Sequence, residues 1–63
     1  MAHSTEAELS AMLARLKSAQ RDLLLTAAGA QTLPSDGTIR KISELEGAIA
    51  ATEALLEEIS RKR

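Results

Sequence analysis

Side chains able to carry out chemistry are few in this 63-residue chain. Its one histidine is His3, and cysteine is absent, so neither a thiolate nucleophile nor a disulfide nor a thiolate metal site is available. The hydroxyls are those of serine and threonine, with no base on a facing helical layer, and no glycine-rich phosphate loop follows a strand. Glu44, Glu46, Glu53, Glu57 and Glu58 crowd the second half. A di-metal site in a helical bundle, however, wants two inward-facing Glu-x-x-His units, and no histidine stands there. These carboxylates read as solvated charge. Met1-Ala2-His3 offers an amine, two amides and a third-position imidazole, the donor set of a square-planar Cu(II) or Ni(II) site. Small Ala2 favours removal of Met1, which would move the imidazole to second position and spoil the set. The residues thus predict no enzyme, no cofactor and no metal.

The remaining candidates are basic. Lys17 and Arg21 stand four apart on one helical face, Arg40-Lys41 follows the midpoint, and Arg61-Lys62-Arg63 closes the chain. Lys17, Arg21, Arg61, Lys62 and Arg63 make a possible partner or nucleic-acid surface. Against nucleic acid stand a formal charge of −1 and the absence of any aromatic ring to stack on a base. The basic tail also suits the negative end of a helix dipole and needs no ligand to explain it.

These residues ride on two long amphipathic stretches separated by Gln31-Thr32-Leu33-Pro34-Ser35-Asp36-Gly37-Thr38, which holds the one proline. Thr5-Glu6-Ala7-Glu8 fits a capping box that would open the first helix. From there Leu9, Met12, Leu13, Leu16, Ala19, Leu23, Ala27 and Ala30 share one stripe at helical spacing. Leu25 points away from it, either as a lone exposed leucine or as a second contact surface. Gly29 is placed to close the helix in left-handed geometry. Pro34 then holds Leu33 extended, and Ser35, Asp36 or Thr38 can cap the next helix. In the second helix Ile42, Leu45, Ile49, Thr52, Leu56 and Ile59 alternate by three and four, a heptad seam with one polar interruption. Gly47, Ala50, Ala51 and Ala54 lie on another face, as good helix formers or as a site of close helix approach.

The fold class expected is all-α: an antiparallel, coiled-coil-like two-helix hairpin forming one domain over 1–63, with helices near 5–30 and 36–61 and a turn at about 31–35. Leu9 with Ile59, Met12 with Leu56, Leu16 with Thr52, Ala19 with Ile49, Leu23 with Leu45 and Thr26 with Ile42 all total 68, which centres the fold on Pro34. A shift of one heptad would total 75 and move the fold point to Gly37. The core seam is expected to be Leu9, Met12, Leu13, Leu16, Leu23, Ile42, Leu45, Ile49, Leu56 and Ile59. Two helices share one line of contact, and a chain this short buries only roughly 60% of its unfolded surface. Leu13, Leu24, Ile39 and Leu55 broaden the stripe beyond what one partner helix covers, so a homodimer, with the hairpins joined as a four-helix bundle, is expected. Met1-Ala2-His3-Ser4-Thr5 lacks the pattern of a signal peptide, and no apolar run approaches the roughly 18 residues of a membrane span, so a cytoplasmic location off the membrane is expected.

The leucine seam and central turn together resemble Rop-like proteins, helical hairpins that dimerise into antiparallel four-helix bundles. Leu33-Pro34 also looks like the turn of a Rop-like family associated with nitrogen fixation. That family places acidic residues before the turn and a tryptophan after it, where this chain has Thr32 and no aromatic residue. The resemblance implies a homodimer. It also suggests RNA-binding regulation or an accessory role in nitrogen fixation, and assigns neither to particular residues. The residues themselves favour a non-enzymatic interaction, scaffolding or regulatory module with an unidentified protein partner.

Overall fold

A computed structural model describes the backbone of residues 2–62 and the side chains of residues 5–62. Two antiparallel helices, α1 (Ala2–Gly29) and α2 (Asp36–Arg61), pack side by side into a rod of 47 × 14 × 14 Å, and the described residues contain no strand. Neither helix is long and apolar enough to cross a membrane.

Helix α1 starts ahead of the expected capping box. Thr5 is already inside the helix, and the first turn carries no acidic residue, so Glu6 and Glu8 lie past the end where the dipole is strongest. At the other end the Ala30 N–H donates to the Ala27 carbonyl at 3.3 Å. The left-handed residue is Gln31, at φ 61°, whereas Gly29 keeps helical geometry. Reversal therefore begins two residues later than the glycine suggests.

Helix α2 has a well-made start. Ser35 is extended (φ −64°, ψ 159°), and its hydroxyl oxygen accepts the Thr38 N–H at 3.2 Å. Asp36 adds negative charge to the first turn. At the far end the Lys62 N–H closes on the Ile59 carbonyl at 3.2 Å, with Arg61 in the last turn.

The register is visible in two contacts between the helices. Gln20 meets Glu46 and Lys17 meets Glu53, pairs whose numbers total 66 and 70. These bracket 68 and exclude the heptad-shifted alternative. The side chains at least half withdrawn from solvent follow one line on each helix: Glu6, Leu9, Leu13, Leu16, Gln20, Leu23 and Ala27 on α1, and Thr38, Ile42, Leu45, Ile49, Thr52, Leu56 and Ile59 on α2. Among described apolar residues only Ile49 is buried, at 5% exposure.

Candidate functional site

The seam carries two polar residues near its middle, each satisfied differently. Thr52 is buried and its hydroxyl donates to the Ala48 carbonyl at 2.7 Å, one turn back on its own helix. Gln20 lays its stem along the seam and carries its amide out to the edge, where Nε2 donates to Glu46 Oε1 at 2.8 Å. The Ile42 carbonyl lies 3.5 Å from the same nitrogen.

Gln20 occupies the position expected of Ala19. Both Ala19 and Met12 are exposed, while Leu13, Gln20 and Ala27 take the seam places facing Leu56, Ile49 and Ile42. Met12 is thus a flank residue of the hairpin, 38% exposed. The seam repeats every three and four residues, and the polarity of Gln20 conceals one of its members. The signal that could reveal it is spacing, four from Leu16 and three from Leu23.

The remaining seam residues, Leu9, Leu16, Leu23, Leu45, Leu56 and Ile59, are half-buried with Ile49 at their centre. Around them Leu24, Leu25, Leu33, Ile39 and Leu55 are exposed, Leu33 to 86%. Leu33 lines a cleft of about 240 Å³ at the turn, together with Thr26, Ala30 and Pro34. Gly47, Ala50, Ala51 and Ala54 all lie exposed on the outer side of α2.

The basic candidates do not converge on one site. Lys17 Nζ lies 3.1 Å from Glu53 Oε2, Arg61 Nη1 lies 3.7 Å from Glu57 Oε1, and Lys62 Nζ lies 3.1 Å from Glu58 Oε2. All three pairs are exposed and contribute little to stability, but each cation has an anion beside it. Arg21 lines a shallow depression with Ala14, Lys17 and Ser18. Arg63 and the side chain of His3 lie outside the described residues. Among the described residues no group of three acidic, histidine or cysteine side chains could hold a metal.

The two lateral edges of the hairpin differ. Lys17 follows the seam residue Leu16, Glu53 follows Thr52 and Glu46 follows Leu45, so the edge made by residues that follow the seam is bridged by polar contacts near its middle, and it carries the exposed Leu24 and Ile39 closer to the turn. The opposite edge is made by residues that precede it: Met12, Ala19 and Thr26 on α1, and Lys41, Ala48 and Leu55 on α2. All six are exposed, and no bond joins the two helices across this edge among the described residues.

No family model, curated protein or solved structure matches the chain. The likeness to Rop-like hairpins is one of architecture alone, two helices packed antiparallel.

Proposed function

We propose that the chain is a non-enzymatic interaction module of the cytoplasm that works as a homodimer and presents the outer faces of its helices to a protein partner, in a scaffolding or regulatory role. The observation that carries this reading is the surface left uncovered. The hairpin exposes 4775 Å², whereas a folded monomer of this mass is expected to expose roughly 3900 Å². The rod shape accounts for part of that excess, and what points to a partner is its chemistry, because Met12, Leu24, Leu25, Leu33, Ile39 and Leu55 are all exposed. Dimerisation is also what the likeness to Rop-like hairpins implies.

The competing nucleic-acid reading has less support, since Lys17, Arg61 and Lys62 already stand beside carboxylates. Nothing at the turn supports an accessory role in nitrogen fixation beyond Leu33-Pro34 itself.

Sedimentation equilibrium of the purified chain tests the dimer: a two-chain species at micromolar concentration is expected, and a monomer there refutes it. Capture of partners from native lysate, with and without nuclease and across a salt series, tests the role. A protein retained after nuclease supports the module; RNA whose retention depends on Lys17 and Arg21 and falls steeply with salt overturns it.

A further inference from the structure

We infer that α1 is built to roll on α2, exchanging the seam line Leu13–Gln20–Ala27 for the line Met12–Ala19–Thr26, and that this roll decides which edge of the hairpin is apolar. The inference concerns a single hairpin and stands whether or not two hairpins associate.

Two lines of α1 compete for one place. Leu9, Leu16 and Leu23 lie in the seam whichever line completes it, facing Ile59, Thr52 and Leu45. The layers between them take Leu13, Gln20 and Ala27, opposite Leu56, Ile49 and Ile42. Met12, Ala19 and Thr26 stand one residue earlier and total 68 with those same partners, where the present three total 69. Alternate layers would each change by one residue, or about 100°, so the helix would turn by roughly 50° without a change of register. The trade in packing is small. Methionine replaces leucine at nearly equal volume, threonine replaces alanine, and alanine replaces the stem of a glutamine. Helix α2 has no such second line, because Lys41, Ala48 and Leu55 precede its seam and Glu46, Glu53 and Ser60 follow it.

Packing holds α1 loosely in its present roll. The buried residues among those described, Ile49 and Thr52, both belong to α2, whereas every seam side chain of α1 stays partly exposed. Helix α1 also directs its apolar residues to one side less sharply than α2 does. What opposes the roll is the polar bridge, because turning α1 this way draws Lys17 from Glu53 and lifts the Gln20 stem out of the seam. An ion pair whose side chains are 56% and 49% exposed holds weakly. The roll would remake both edges. Glu8, Arg15 and Asp22, each four residues before a member of the entering line, would swing to the edge that Met12, Ala19 and Thr26 vacate. Leu13 and Ala27 would emerge on the other edge, which already exposes Leu24 and Ile39. One edge thus turns charged as the other turns apolar, and a partner that grips either edge sets the roll.

Methyl NMR tests the roll, since Leu56 reports which line it faces. In the unaltered chain the Leu56 methyls should show a stronger Overhauser contact with Leu13 than with Met12, and Met12 and Leu13 should share one microsecond-to-millisecond exchange process in relaxation dispersion. Gln20→Leu should suppress that exchange by fixing the present seam, and exchange that survives it would count against the roll. Ala19→Leu combined with Gln20→Glu should reverse the contact, because it gives the entering line a leucine and the leaving line a charge. A Leu13 contact that stays dominant in this combined variant, with helix content by circular dichroism intact, would overturn the inference. Should the variant unfold, the unaltered chain still decides, since flat dispersion at both Met12 and Leu13 refutes the roll. Spectra at two protein concentrations separate rolling from association: a Met12–Leu56 contact that persists on dilution lies within one chain, as expected, and one that fades joins two chains and refutes the roll.

Discussion

Gln31 holds φ 61°, and left-handed backbone costs a residue bearing a Cβ about 1 kcal/mol. Gln31→Gly should therefore raise stability by about 0.5–1 kcal/mol, less whatever the more flexible glycine adds to the unfolded ensemble. A urea titration that shows a loss would mean that the Gln31 side chain contributes more than its backbone costs. Ile49 is the opposite case. As the one buried apolar side chain among those described, it should cost about 2–5 kcal/mol on truncation to alanine. Leu25→Ala, at a site 64% exposed, should change stability by less than about 0.5 kcal/mol. Equal losses at the two positions would place the core on the wrong face.

The helices themselves are largely readable in the sequence, and what is not readable has specific causes. Pro34 and the two seams give both the fold point and the register, because facing layers of an antiparallel pair must total a constant. The Thr5 cap misleads because the helix already begins at Ala2, three residues earlier, which leaves Thr5 inside it. Gly29 points to the wrong left-handed residue, since glycine permits that geometry without demanding it. The seam of α1 is blurred because hydrophobicity cannot reveal a glutamine whose stem packs while its amide is satisfied by Glu46. The two edges are not distinguishable at all from composition, because telling them apart requires knowing which residues bridge. Two substitutions probe α2 as an element. Ser35→Ala removes the acceptor for the Thr38 N–H and should cost about 1 kcal/mol in a thermal melt. Gly47→Ala, where an added methyl meets nothing within 4 Å, should gain up to about 1 kcal/mol. If Gly47 instead lies under another helix, sedimentation of the same variant would show weakened association, and the outer face of α2 would become the interface.

At the scale of the whole molecule, association and folding are expected to be linked, since the hairpin alone leaves so much apolar surface in water. The melting temperature should rise with protein concentration, as it does whenever a partner binds only the folded state. A midpoint that stays constant over a hundredfold dilution would show that one hairpin is stable by itself. The turn then has a consequence for which shapes this chain can take at all. Two helices that are good helix formers up to their junction could in principle fuse into one rod of about 60 residues, roughly 90 Å long, and two such rods could trade halves to make every seam contact between chains instead of within one. Pro34 forbids this, because the residue before a proline is driven out of helical geometry and the proline has no N–H to continue the ladder. Its place at the reversal thus guards against domain swapping as well as punctuating the helices. Pro34→Ala should release that guard and populate an elongated species by small-angle X-ray scattering, about twice the 47 Å length of the hairpin.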